Sequence, residues 1–130
     1  MPITDVQIHD GLLAVQQTSE GERLRVALAG EMDLANAETA GSTLREVLLR
    51  DEDVVVDLGG LEFIDSTGLA MLVVAMREGG RRLSFLPSRH ASVRRLLTLT
   101  GLDERMNFSP PPATGVSAEG SGAEPLVSAA

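Results

Sequence analysis

Asp65, Ser66, Thr67 and Gly68 stand between a valine-rich run, Val54-Val55-Val56-Asp57-Leu58, and an apolar run from Leu69 to Met76. Short oxygen-bearing side chains at such a junction accept the free N–H groups of a helix's first turn. A hydroxyl in that place lies at the positive end of a helix dipole and suits a phosphate group, or contact with whatever delivers one. Capping alone explains any one of the three. Ser66, with Thr67 as the alternative, is the candidate for more.

Other chemistries find less support. Asp57 ends a run of valines, as the phosphoaccepting aspartate of a receiver domain does, but the chain has no lysine, and Leu28-Ala29-Gly30 offers no acidic pair. A turn role beside Gly59-Gly60 is simpler. Ser66 lacks the G-x-S-x-G elbow of a serine hydrolase. His9 and His90 fall in an unpatterned terminus and at a helix start, so nothing brings a base to Ser66 or gathers metal ligands. No enzymatic activity, cofactor or metal is expected.

Composition narrows the classes further. The 130 residues, 43% of them apolar, suit one domain with one core. The absence of cysteine excludes disulfides and thiolate metal sites. A net charge of -8 opposes direct nucleic-acid binding. No apolar run approaches the roughly 20 residues of a membrane span, and MPITDVQIHDG has neither a basic nor an apolar leader region, so a cytoplasmic protein without membrane association is expected. All 11 cations are arginine; six lie between Arg77 and Arg95 with one acid, Glu78, which reads most simply as a solvated face.

The elements that must position Ser66 follow from periodicity. Residues 1–10 lack a pattern. Leu12–Gln17 and Leu24–Ala29 read as strands joined by Thr18–Glu22 in a hairpin, the second alternating Leu24, Val26, Leu28 inward. Gly30–Asp33 leaves the sheet, and Asp33 or Asn36 caps a helix to about Leu49 whose inner stripe is Leu34, Ala37, Ala40, Leu44, Val47 and Leu48. Val54–Leu58 is a central strand, Gly59-Gly60 a turn, and Leu61–Ile64 a short return. The helix from Asp65 is apolar all round, so it is buried or carries a bare patch; Ala70, Val73 and Val74 suit the core, and Leu69, Leu72 and Met76 the patch. Gly79-Gly80 stops it. Arg82–Leu86 is a fourth strand, Val93, Leu96 and Leu97 line a third helix ending at Gly101, and Met106–Phe108 is a candidate last strand. From Ser109 the chain turns to Pro, Ala, Gly and Ser, a disordered tail over 109–130, leaving residues 1–108 as the domain. The fold class is α/β, a mixed central sheet with helices packed on it in the order ββαβαβα(β), with Ser66 at the carboxyl end of a parallel strand.

Three stretches carry a resemblance: Leu28-Ala29-Gly30-Glu31-Met32-Asp33; Val54–Leu58 through Phe63-Ile64-Asp65-Ser66-Thr67-Gly68-Leu69; and Val93-Arg94-Arg95-Leu96-Leu97-Thr98-Leu99-Thr100-Gly101-Leu102. In this order the chain resembles the STAS-domain anti-sigma factor antagonists of bacterial partner-switching modules, over about residues 10–108. The resemblance implies that Ser66, or else Thr67, is phosphorylated by an anti-sigma factor with a histidine-kinase-type ATPase fold. The unphosphorylated chain would bind that kinase and free the sigma factor, and a serine phosphatase would reset the switch. It implies partner contacts at Asp33, Asp65, Ser66, Thr67 and Gly68, to which the apolar patch adds Leu69, Leu72 and Met76. Asp33 and Asp65 would cap helices, or position the kinase's nucleotide magnesium and the hydroxyl. The alternative function is a sensor or small-ligand module of the same fold without a phosphoswitch.

Overall fold

A computed structural model describes residues 6–109. The elements are β1 (Val6–Asp10), β2 (Leu13–Glu20), β3 (Arg23–Met32), α1 (Ala37–Leu48), β4 (Asp53–Ile64), α2 (Ser66–Gly79), β5 (Leu83–Leu86) and α3 (Ala91–Leu99), with short 3-10 turns at Gly80–Arg82 and Leu102–Glu104. The five strands form one sheet in the order β1-β2-β3-β4-β5. The pairs β1/β2 and β2/β3 are antiparallel; β3/β4 and β4/β5 are parallel. The sheet is mixed, as expected, and the parallel steps are the ones that enclose α1 and α2.

Alternation places Leu24, Val26 and Leu28 of β3 in the core, and Val54, Val56 and Leu58 of β4 join them. Ala40, Leu44 and Val47 of α1 pack on this face with Leu72 and Ala75 of α2, and Val93 and Leu97 of α3 belong to the same cluster. Burying one such aliphatic side chain is worth about 1.5–3 kcal/mol, so this face holds most of the fold's driving force.

Four expectations need correction. Residues 6–10 form an edge strand, because Gly11-Leu12 makes a two-residue turn that pairs them with β2 from Asp10↔Leu13 to Val6↔Gln17. Both hairpins turn on a glycine at positive φ, Gly11 at 62° and Gly21 at 65°, which a tight antiparallel turn needs at its first position. The order is therefore βββαβαβα. Second, β3 does not end at Ala29 but runs to Met32, past a register shift opposite Gly60 and Leu61. Third, β4 continues through Gly59-Gly60 to Ile64 rather than turning there. These glycines serve close approach: a Cβ on Gly60 would lie 3.0 Å from Ala29 Cβ, and one on Gly59 would lie 2.9 Å from Asp57 Oδ1. Fourth, Leu34 precedes α1 and is 77% exposed, outside the inner stripe.

Smaller adjustments follow. The sequence also offers Pro87-Ser88 as the start of the third helix, but the buried Ser88 hydroxyl donates to Leu61 O at 2.8 Å, and α3 begins at Ala91. Phe108 makes a single parallel bridge to Phe85 instead of a strand, and Ser109 N donates to Phe85 O at 2.8 Å. The remainder of the expected tail, from Pro110, lies outside the described residues. No described helix is long and apolar enough to cross a membrane.

Candidate functional site

The site is built where β4 hands over to α2. Asp65 stands between them in extended conformation, and its N–H donates to Met32 O at the end of β3, at 3.2 Å. Its Oδ1 accepts from Thr67 N at 3.0 Å, Gly68 N at 3.1 Å and Thr67 Oγ1 at 2.5 Å. Its Oδ2 accepts from Leu34 N at 3.2 Å. Bonds to the ionised form stabilise it, so the Thr67 hydroxyl first, then the Gly68 N–H, hold this carboxyl below its ordinary value. Asp65 thus caps α2 and ties down the β3–α1 loop with the same group.

Asp33 lies in that loop. Its Oδ1 accepts from Ala35 N at 3.0 Å, its N–H donates to Asn36 Oδ1 at 2.9 Å, and its carbonyl accepts from Ala37 N at 2.8 Å. Asn36 occupies the cap position of α1 without capping it; its buried amide donates to Glu31 O and Asp10 O. The two acidic loops expected at the site are therefore neighbours, joined through Leu34.

Ser66 is the first residue of α2 and is exposed, and its hydroxyl finds no hydrogen-bond partner among the described residues. Thr67 differs: it is half-buried, with its hydroxyl committed to Asp65. Gly68 is buried because a Cβ there would lie 2.6 Å from Ile64 Cγ1.

The expected apolar patch is corrected. Leu72 is fully buried, and Leu69 and Met76 are half-buried against the core. The buried stripe of α2 is Gly68, Leu72, Ala75 and Gly79. Ala70 and Val74, assigned to the core from sequence, are exposed. They follow Ser66 at four and eight positions, so they share its face of the helix, a signal the spacing carried once Ser66 was taken as exposed. With Leu34, 77% exposed, they line one groove together with Thr67 and give the Ser66 end of α2 a bare apolar flank, while Phe63, 48% exposed, lies near the end of β4.

The other candidate groups are accounted for structurally. Asp57 accepts from Gly59 N at 2.8 Å and pairs with Arg25 at 2.8 Å. Arg82 donates to the carbonyls of Leu48, Arg50 and Glu52, and Arg94 to that of Ser88. His9 lies on β1 and His90 precedes α3; among the described residues no three His, Cys, Asp or Glu side chains gather to hold a metal.

Comparison with known proteins agrees with this geometry. The family model described as Mlab, STAS domain, matches residues 15–109. The anti-sigma-F factor antagonist RsfB of Mycobacterium tuberculosis is 31% identical over 81 residues, which make up 61% of this chain and 66% of the relative, in strains CDC 1551 / Oshkosh and ATCC 25618 / H37Rv alike. The chain thus spans just under two thirds of the curated relatives it matches. Among solved structures, an anti-sigma factor antagonist from Mycobacterium paratuberculosis superposes with a TM-score of 0.65 at 24% identity, covering 84% of this chain and 86% of the other. The anti-sigma factor antagonist SpoIIAA in its unphosphorylated form gives 0.61 at 18% identity, covering 75% and 89%. At these identities the structures testify to the fold.

Proposed function

This chain belongs to the STAS domain family, and from that premise we propose that it is a non-enzymatic anti-sigma factor antagonist switched at Ser66. Its unphosphorylated form binds an anti-sigma factor that is also a serine kinase of the histidine-kinase ATPase type, so that the sigma factor is freed. A serine phosphatase hydrolyses the phosphoserine and returns the chain to its binding form. The observation that carries the reading is the exposed, unbonded Ser66 hydroxyl at the start of α2, next to an apolar groove that Leu34, Thr67, Ala70 and Val74 line. The name of the mycobacterial relative supplies the partner class.

Phosphorylation adds about 1.5 to 2 negative charges and three acceptor oxygens. The fold tolerates them, because the helix terminus favours an anion and Ser66 is exposed. Asp65 adjoins Ser66 and holds the loop that carries Asp33, so the phosphate meets like charges there and stays in water. A partner lying on the apolar flank must strip that water away. A tenfold loss of affinity needs only about 1.4 kcal/mol. Thr67 is the poorer acceptor, since its oxygen is already held by Asp65.

The test incubates the full chain with candidate ATPase-type anti-sigma factors and Mg-ATP, locates phosphate by mass spectrometry, and measures binding. Phosphate is expected on Ser66, with Ser66→Asp at least tenfold weaker than the parent and Ser66→Ala equal to it. Equal affinity of all three proteins refutes the switch.

A further inference from the structure

Between α1 and α2 runs a groove of about 310 Å3, and it opens beside Ser66, because Leu34, Thr67 and Ala70 line it. Small residues create it. Ala37 and Gly41 of α1 meet Ala70 and Ala75 of α2 there, and a Cβ on Gly41 would come 3.0 Å from Met71 Cγ. The remaining apolar wall is Leu44, Met71 and Val74. At one end Arg45 and Glu78 approach each other at 4.0 Å, while Glu38, also on the rim, has no ion pair among the described residues.

We propose that this groove receives an apolar anchor side chain of the anti-sigma factor, with a cation of the same partner segment meeting Glu38. The inference rests on the reading of Ser66 as the partner-facing residue and assigns the contact that supplies the affinity. Leu34, Ala70 and Val74 belong both to the apolar flank beside Ser66 and to the groove, so a partner that covers the serine covers the groove's mouth. Left empty under an interface, the walls would lose their contact partners outright. Energetic hot spots are side chains seated in such pockets, ringed by contacts that exclude water. The volume sits at the low end for free small-molecule sites, and the lining includes the exposed Leu34 and Val74, which suits a side chain carried by a protein. Glu38 is an unpaired acid at the rim, and it selects a basic neighbour for the anchor.

The test uses the full chain, methyl-labelled at Leu, Val and Met, and the ATPase-type anti-sigma factor that phosphorylates it. Ala70→Trp fills the groove from an exposed position and is expected to weaken binding by tenfold to a hundredfold. Leu34→Ser, at a residue that packs against little, is expected to weaken it severalfold and guards against misfolding of the first variant. Leu99→Ala on α3 is expected to bind as the parent does. In the complex the Met71 and Val74 methyl signals shift. Parent-like affinity of Ala70→Trp and Leu34→Ser, with tight parent binding, overturns the groove while leaving the Ser66 switch intact. Failure of the parent itself to bind overturns both. Met71 and Val74 methyl signals that move in the free chain when residues 110–130 are removed would seat that segment in the groove and overturn the proposal, as would displacement of the partner's anchor by a free apolar ligand with no loss of affinity.

Discussion

The backbone N–H of Leu34 donates to Oδ2 of Asp65 at 3.2 Å, across 31 positions of sequence. The other oxygen of the same carboxylate caps α2 through Thr67 and Gly68. One side chain therefore fixes two loops that flank Ser66. Asp65→Ala is expected to lower the thermal midpoint and to move the Leu34 amide resonance. Asp65→Asn retains an oxygen for the cap but turns an amide N–H toward Leu34, so it keeps more stability while still displacing the loop. The hydrogen bonds depress the Asp65 pKa in the folded chain, so its contribution is complete above the ordinary carboxyl range and disappears as pH falls through the folded value. Denaturation of parent and Asp65→Asn between about pH 6 and pH 2 should show their difference shrinking with acid. A difference independent of pH contradicts the assignment.

Leu72 and Val74 are two positions apart and play opposite parts. Leu72 is wholly buried, whereas Val74 is 40% exposed. Leu72→Ala should cost about 2–5 kcal/mol in urea denaturation, the transfer term plus the cavity left behind. Val74→Ala should change stability by about 0.5 kcal/mol or less, and should act on partner affinity instead. Comparable stability losses would mean that α2 is rotated from the orientation described.

The contrast between these two residues shows how much of the molecule was legible in its sequence. Alternation in Leu24, Val26, Leu28 and the valine run of β4 revealed the sheet, and the Asp-Ser-Thr-Gly junction marked the handover from β4 to α2 that carries the candidate site. The rotation of α2 was not legible from hydrophobicity, because Leu69 to Met76 is apolar on every side and offers no polar stripe. Only the four-residue spacing of Ser66, Ala70 and Val74 encodes it. Gly59-Gly60 misled for a related reason: two glycines signal a turn in a local reading, while here they admit Ala29 and Asp57 in a continuous strand. Leu34 depended on a contact with Asp65, which no local pattern contains.

Two helical glycines should respond differently to the same change. At Gly68 an added Cβ would lie 2.6 Å from Ile64 Cγ1 and 3.2 Å from Met32 Cγ, both in the packed core beneath the site. Gly68→Ala should lose about 1–3 kcal/mol through overpacking, despite the better helix former. At Gly41 the neighbour is the flexible Met71 side chain at 3.0 Å, which can turn aside. Gly41→Ala should therefore gain up to about 1 kcal/mol while narrowing the groove. Melting both variants checks the signs; a stabilised Gly68→Ala would disprove the tight packing of α2 on β4.

Arg82 separates stability from function. Its Nη1 donates to the carbonyls of Arg50 at 2.7 Å and Glu52 at 2.9 Å, and its Nη2 to that of Leu48 at 2.7 Å. The guanidinium thus spans the end of α1 and the loop into β4, where free carbonyls and the negative end of the helix dipole favour a cation. A lysine brings the charge but not the fork, and its single ammonium group cannot reproduce bonds fixed by a planar geometry. Arg82→Lys is expected to lose about 1 kcal/mol and Arg82→Ala about 1–3 kcal/mol, with faster amide exchange confined to the end of α1 and the start of β4. Arg82 lies about 20 Å from Ser66, the length of the 14-residue α2 at 1.5 Å per residue, so phosphorylation and partner affinity should match the parent at temperatures where both are folded. Full stability in Arg82→Lys would show that charge alone holds this corner, and a change in affinity would place the partner's footprint well beyond the Ser66 face.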